Sequence, residues 1–274
     1  MADEALQRTP DAPSPPPPPR ARAGLPSITQ ALEMTGEAVL LTVGAARTFL
    51  RQGVHPGDLV RQMATIGVDS VWIVTIIAAA SGAVFALYTA RLATSIGATM
   101  FVGGTLGYAY LNELGPVLGG VAFAARSGAA IAAEIGTMVV TEQVDALRAM
   151  AVSPIRYLVL PRVLAAILML PALTLFGDFV GLFSGYVSAV LNGVRGADFL
   201  ESLFTYTRPD DLINGLIKAV VFGYLVGITA CQQGLRTRGG ATGVGHATTR
   251  SVVLCVMLIS VADLVIAVLL QGRR

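Results

Sequence analysis

The chain has 274 residues, of which 54% are hydrophobic and only 13% are charged, and its mean hydropathy is +0.69. This composition excludes an ordinary water-soluble domain and leaves room for several membrane-spanning helices of roughly 20 residues each. The formal net charge of +2 is too small, and the arginines are too scattered, for a nucleic-acid partner. We therefore expect an all-α integral membrane protein with one membrane domain.

The first 26 residues include five consecutive prolines at positions 15–19, which predict a disordered or polyproline tail. After this tail, apolar residues recur at steps of three and four positions between Ile28 and Leu50. Charged residues occupy the other side of the same helical wheel. The pattern predicts an amphipathic helix over residues 27–55 that lies in the membrane interface.

Five apolar segments that are long enough to cross a bilayer follow this helix. Their predicted limits are residues 69–92, 101–127, 160–194, 212–235 and 248–270. A polar external loop is expected at residues 198–211. A tight glycine turn is expected before the last span, which Thr248 or Thr249 would then cap.

The polar stretch at residues 134–162 predicts a cytoplasmic helix and turn between the second and third spans. Arginines indicate the orientation, because they concentrate on the cytoplasmic side of membrane proteins. With the N-terminus inside, the cytoplasmic arginines would be Arg47, Arg51, Arg61, Arg148, Arg156, Arg162, Arg236, Arg238 and Arg250, and the external ones Arg91, Arg195, Arg208, Arg273 and Arg274. This bias of about two to one favours a multi-pass protein of the cytoplasmic (inner) membrane with a cytoplasmic N-terminus.

Four ionisable residues fall within predicted spans, namely Glu113, Asp178, Lys218 and Asp263. Each would cost about 2.5–3.5 kcal/mol if it faced lipid at the bilayer centre, so each should face protein or water. Lys218 is the only lysine in the chain. We hypothesise that Glu113, Lys218 and Asp263 meet inside the bundle, either as a structural ion pair or in gating or substrate passage. For Asp178 a place near the interface, where its carboxylate reaches the headgroups, is the simpler interpretation.

Small residues on the third span favour close helix packing. Gly177, Gly181 and Gly185 follow one another at four-residue spacing, which suits contact inside a bundle or across a dimer. The glycines at residues 239–245 are not a phosphate loop, because the chain has no GxxxxGK[ST] motif. Cys231 and Cys255 lack metal-ligand spacing, so neither a metal site nor a catalytic site is predicted.

Short motifs concentrate between residues 112 and 162. They are Glu113-Leu-Gly-Pro116, Ala132-Ala-Glu-Ile-Gly-Thr137, Thr141-Glu-Gln143, Asp145-Ala-Leu147, Ser153-Pro-Ile-Arg-Tyr157 and Leu160-Pro-Arg162, and they are followed later by Gly243-Val-Gly245 and Ala247-Thr-Thr-Arg250. In this order they resemble the MlaE/YrbE family of ABC transporter permeases, over about residues 59–270. The resemblance implies a permease domain at residues 27–274 with an interfacial helix, five spans and a two-fold permease dimer.

The same resemblance implies the partners of the chain. They are a separate ABC ATPase that carries ATP and Mg, an MCE-domain lipid-binding protein, a second copy or homologous permease, and membrane lipids of phospholipid, sterol or fatty-acid-like type. No cofactor is expected in this chain. Residues 142–150 resemble the coupling helix that docks on the ATPase, with contacts expected from Glu142, Gln143, Asp145, Ala146, Ala149 and Met150. Four of these residues share one helical face that combines charge with small side chains.

Asn112 departs from the family pattern, in which an arginine often precedes the Glu-Leu-Gly-Pro motif. A set built from Asn112, Glu113, Lys218 and Asp263 would hold two acids against one base. Either one acid keeps its proton, or a second and non-identical permease supplies the missing cation. The alternative function is an ion-coupled secondary transporter or channel that uses these intramembrane charges. A purely structural membrane scaffold is a third class.

Overall fold

The computed structural model describes the backbone of residues 28–271 and the side chains of residues 32–269. All regular structure in this part of the chain is helical. The chain divides into two units between Thr35 and Gly36, and the described part of the first unit is the start of helix α1. The residues discussed as functional all lie in the second unit. The predicted proline-rich tail, residues 1–26, lies outside the described residues.

Helix α1 covers Ile28–Gln52 and lies within residues 27–55, where the sequence predicts an N-terminal helix. Helix α2, Pro56–Ile66, then begins on a proline, whose missing N–H is no loss in the first helical turn. A short 3-10 turn joins α2 to α3, Val71–Ser95. Together they make a first long apolar helix, Pro56–Ser95, which begins well before the predicted span at residue 69.

The second span is built from three α-helices that follow one another in a single rod. They are α4 Val102–Ala109, α5 Gly115–Phe123 and α6 Ala129–Val140, separated by five-residue π-helical turns at Tyr110–Leu114 and Ala124–Gly128. The span was expected to end near residue 127. It continues because Ile131 and Ile135 of α6 are buried in the core.

The remaining helices are two short ones, α7 Gln143–Ala149 and α9 Gly196–Tyr206, and three long ones, α8 Leu160–Leu191, α10 Pro209–Leu235 and α11 Gly240–Gln271. The loop predicted at residues 198–211 is therefore wrong, because α9 occupies most of it and buries Phe199. The predicted cap is also wrong, since Thr248 and Thr249 lie inside α11 and donate to the carbonyls of Val244 and Gly245.

Within the described residues, five helices are long and apolar enough to cross a membrane, which confirms the predicted architecture. We call them spans 1 to 5, and they cover Pro56–Ser95, Thr99–Val140, Ile155–Leu191, Pro209–Leu235 and Gly240–Leu269. Consecutive spans are antiparallel, because their contacts run in opposite directions along the chain, as at Gly223 with Ala166 and Gly227 with Val163. Helix α7 therefore lies at one end of the bundle, between spans 2 and 3, and α9 lies at the opposite end, between spans 3 and 4.

Large apolar side chains and close glycine contacts hold the spans together. Phe123, Leu170, Phe222 and Ile259 come from spans 2 to 5 and are fully buried in the main core. On the glycine face of span 3, Gly181 packs so closely that its carbonyl oxygen occupies the space a side chain at Gly82 of span 1 would need. Such packing of small residues stabilises helix association in lipid, where burial of apolar surface gives little driving force.

Candidate functional site

Lys218 is the centre of a polar cluster inside the bundle. Its side chain is 2% exposed, and its Nζ atom lies 2.7 Å from Oε2 of Glu113 on span 2 and 2.8 Å from Oδ1 of Asp263 on span 5. The contact with Glu113 has hydrogen-bond geometry, whereas the contact with Asp263 is an ion pair by distance alone. One cation therefore joins three spans, and we call these three residues the lysine cluster.

Glu113 reaches Lys218 from the first π-turn of span 2. In this turn the N–H of Gly115 donates to the carbonyl of Tyr110, five residues earlier. Pro116 follows at once and has no N–H to donate, so the regular α-helical bond pattern is interrupted at this point. π-turns of this kind are frequent at functional sites, because the extra residue redirects the side chains that it carries.

Span 4 approaches the same π-turn through a glycine. The carbonyl oxygen of Leu111 takes up the space in which a side chain at Gly215 would lie, so the two backbones are in contact. Lys218 follows three residues later on the same face of α10. The close approach at Gly215 thus brings the lysine within reach of both carboxylates.

Asn112 sits in the π-turn but bonds to its own helix. Its amide nitrogen donates to the carbonyl of Tyr108 at 3.1 Å, and the residue is 7% exposed. The structure therefore brings together Glu113, Lys218 and Asp263, while Asn112 lies beside them. The cluster holds two carboxylates against one ammonium, and the Glu113 side chain is 43% exposed at the surface of the described chain.

Helix α7 projects an exposed polar surface beyond spans 2 and 3. Its residues are Gln143–Ala149, and Glu142 precedes it in a left-handed conformation, with φ of 60°. Val144 is buried and anchors the helix, while Gln143, Asp145, Ala146, Ala149 and Met150 are exposed. Asp145 forms an exposed ion pair with Arg148 at 2.9 Å. An anchored helix with an exposed charged face is suited to docking by another protein.

Asp178 differs from its sequence prediction. It was expected near the interface, yet it is 2% exposed and packs against span 2. Hydropathy cannot distinguish these two places, because both lie on an apolar helix. The glycine spacing on either side of Asp178 was the available signal that this face of span 3 contacts another helix.

Three further ion pairs lie toward the α7 end of the bundle, and none of them was predicted. Arg162 is buried and pairs with Glu134 at 2.7 Å, which links spans 2 and 3. Arg126 pairs with Asp69, and Arg236 pairs with Glu37 of α1, each at 3.3 Å. Glu134 and Arg162 both belong to the sequence motifs, but their separation of 28 positions gave no indication that they meet.

Residues 59–269 match the family described as Permease MlaE. The chain belongs to this family. It is 40% identical over 235 residues to a probable ABC transporter permease protein of Rickettsia felis, covering 85% of this chain and 91% of the relative. It is 41% identical over 228 residues to a probable ABC transporter permease protein of Synechocystis, covering 82% and 87%. The chloroplastic protein TRIGALACTOSYLDIACYLGLYCEROL 1 of Arabidopsis thaliana is 36% identical over 219 residues, covering 80% and 63%.

These similarities confirm the family resemblance drawn from the motifs. The MlaE-family chain is a multi-pass ABC transporter permease subunit and is not itself an ATPase. A permease of this class works with a separate ATPase partner.

Proposed function

We propose that this permease moves lipids, driven by ATP hydrolysis on the partner subunit. The observation that carries the proposal is the similarity, over 80% of the chain, to an Arabidopsis protein whose name refers to a galactose-bearing diacylglycerol. The substrate class is therefore an amphiphile with a polar head and a large apolar body, of which membrane phospholipid is the most abundant. Sterols and fatty-acid-like molecules also combine a polar head with an apolar body and belong to the same class.

The lysine cluster supports an amphiphilic substrate. A lipid that crosses the bundle must carry its polar head past the apolar middle of the spans, where unpaired polar groups are costly. Lys218 and its two carboxylates offer both signs of charge at such a position, and Glu113 is exposed enough to exchange partners. Ile213, Ile217 and Leu264 on the same two helices are exposed and apolar, as acyl chains require.

We assign the partners by position on the bundle. The ATPase docks on α7 through Glu142, Gln143, Asp145, Ala146, Ala149 and Met150, so the α7 end is cytoplasmic and the membrane is the cytoplasmic (inner) one. An MCE-domain protein meets the opposite end, near α9, and passes lipid beyond the membrane. A second permease, identical or homologous, completes a dimer, and a homologous partner would supply the cation that Asn112 does not provide.

Transport of labelled lipid tests this function. The full chain is purified with its ATPase from native membranes and reconstituted into phosphatidylethanolamine and phosphatidylglycerol vesicles that contain NBD-labelled phosphatidylethanolamine. The measured quantity is the fraction of label that albumin extracts from outside. We expect ATP, but not a non-hydrolysable analogue, to change this fraction, and Lys218→Met to reduce the change.

The rival functions give different results in the same vesicles. An ion-coupled transporter would respond to an imposed proton or sodium gradient without ATP, and this result would overturn the proposal. A structural scaffold would respond to neither ATP nor a gradient, which would overturn it as well. Lipid extraction that follows ATP and ignores both gradients supports it.

A further inference from the structure

Asp178 carries a buried carboxylate for which the described residues provide no partner. The residue is 2% exposed, and neither Oδ1 nor Oδ2 has a hydrogen-bond partner in that part of the chain. Thr174, one turn earlier on α8, is 1% exposed, and its hydroxyl is unpartnered in the same way. An unpaired carboxylate in an apolar interior is strongly unfavourable, so the group requires a ligand that removes or satisfies its charge.

Two glycines on span 2 provide the space for these side chains. Oδ1 of Asp178 occupies the position at which a side chain on Gly115 would begin, and Oγ1 of Thr174 lies 3.4 Å from the corresponding position on Gly119. Both pairs are four residues apart, so the two helices match turn by turn. Asp178 and Thr174 thus belong to the packed contact between spans 2 and 3 and do not reach toward the bilayer surface.

A small cavity adjoins this contact, between spans 1, 2 and 3. Val74 and Leu118 contribute apolar walls, and the side-chain oxygens in its lining belong to Thr174 and Tyr110. The cavity has room for about one water molecule. A hard metal cation takes about six oxygen ligands, which is more than this lining supplies.

Among the residues that the structure describes, the charged groups around Asp178 also supply no cation. Span 1 presents Val74 and Ala78 to this part of α8, at Gly177. Span 2 presents Tyr110, whose hydroxyl contacts Ser81 and donates to the carbonyl of Ala78. Lys218 on span 4 is paired with the two acids of the lysine cluster.

We propose that Asp178 is a proton-binding site within the bundle, occupied while spans 2 and 3 are packed together. The neutral acid donates a hydrogen bond to a water molecule in the adjoining cavity, which Thr174 also lines. Its O–H bond breaks only when the contact at Gly115 opens, and the proton then passes to entering water and leaves a hydrated carboxylate. Separation of spans 2 and 3 is therefore linked to proton release, next to the π-turn whose other side carries Glu113.

Infrared spectroscopy tests the proton directly and does not depend on transport. The full chain with its ATPase is placed in lipid nanodiscs at neutral pH, without nucleotide and in potassium buffer, and the spectrum of Asp178→Asn is subtracted from that of the wild type. We expect a carbonyl stretch of a protonated carboxylic acid in the difference. The same band should persist in the matched variant Asp263→Asn, whose acid is ion-paired, and should shift in frequency in Thr174→Val.

Three results would overturn the proposal. The first is a wild-type difference spectrum without a protonated-acid band, which would mean that Asp178 is ionised. The second is a band that vanishes when sodium replaces potassium, which would indicate a cation site. The third uses wild-type protein produced with aspartate that carries carbon-13 in its side-chain carboxyl. If the protonated-acid band does not shift in this protein, it does not come from an aspartate. This last measurement needs no substitution, so a variant that fails to insert leaves the test intact.

Discussion

At the scale of single residues, Lys218 sets the energetics of the lysine cluster. Its ammonium is buried, whereas both carboxylates are partly exposed. Removing the lysine leaves two acids facing each other without a cation. Removing one acid leaves Lys218 paired with the second acid. This change costs less stability, because the buried ammonium keeps a partner.

We expect Lys218→Met to destabilise the permease more than Lys218→Met combined with Glu113→Gln. The single variant leaves the carboxylates of Glu113 and Asp263 facing each other without a cation. The double variant also removes the charge of residue 113 and therefore the repulsion between the two acids. The coupling between the two substitutions should amount to about 1–3 kcal/mol. It is measured as thermal stability in detergent for the wild type, both single variants and the double variant.

The surface pair Asp145 and Arg148 provides the control for this cycle. Both side chains are about two-thirds exposed, at 69% and 65%, and exposed pairs of this kind couple by less than about 1 kcal/mol. The cycle Asp145→Asn with Arg148→Met should therefore show little coupling. Equal coupling in the two cycles would contradict a special role for burial at Lys218.

Gly115→Ala tests the close contact at Asp178. The added methyl group would collide with Oδ1 of Asp178, so we expect a loss of about 1–3 kcal/mol in stability. Gly36→Ala on α1 is the matched control, because nothing lies within 4 Å of its added carbon and alanine favours a helix. Thermal unfolding of the two variants in the same detergent provides the comparison. Equal stability of the two would show that Asp178 does not fill the space beside Gly115.

The sequence predicted some residues of the site and missed others for a physical reason. A charge in an apolar span must be satisfied, so Glu113, Lys218 and Asp263 could be grouped, and the structure brings these three together. The same cost applies to Asp178, but a headgroup or a proton satisfies an acid without a second residue. Its burial therefore depends on which helix covers it, and no short stretch of sequence contains that information.

At the scale of helices, α7 is the element through which we expect force to enter the permease. It lies on an exposed end, is anchored by buried Val144 and follows span 2 after a turn of two residues. The neighbouring pair of Arg162 and Glu134 ties spans 2 and 3 together at this end. A push on α7 would therefore act on both spans at once.

We expect Glu142→Arg combined with Asp145→Arg to abolish co-purification of the ATPase while the permease still inserts. The physical reason is that reversing the charge of a docking surface removes its complementarity to the partner. The measurement is the amount of ATPase retained by the tagged permease, relative to wild type. The control reverses Asp198 and Glu201 on α9, at the other end of the bundle. Undiminished binding by the α7 variant would mean that the ATPase docks elsewhere.

Several helices were beyond prediction because their signals are weak or local. The π-turns of span 2 add a residue without changing its apolar composition, so hydropathy does not reveal them. Helix α9 contains the charged residues Asp198 and Glu201 close to Phe199. From the sequence alone, these charges suggest a polar loop. Spans 1 and 2 extend beyond their predicted limits because Ile66 and Ile135 find buried sites against other helices.

At the scale of the whole molecule, the two ends of the bundle should face different compartments. The arginine distribution favours the α7 end as cytoplasmic. We expect a membrane-impermeant maleimide to label Glu201→Cys on α9 in intact spheroplasts and to label Gln143→Cys on α7 only after permeabilisation. Native Cys231 and Cys255 are both buried and should remain unlabelled in each sample. The reverse labelling pattern would invert the orientation.

The π-turns of span 2 also have a consequence for comparing this permease with its relatives. Each turn holds one residue more than the regular helix would, and one residue rotates everything beyond it by about 100°. A relative with a regular helix at Tyr110–Leu114 or Ala124–Gly128 would be one residue shorter there while keeping the same face toward the lysine cluster. Single-residue gaps in an alignment of span 2 therefore belong inside the membrane, at these two turns, although insertions elsewhere in proteins are mostly confined to loops.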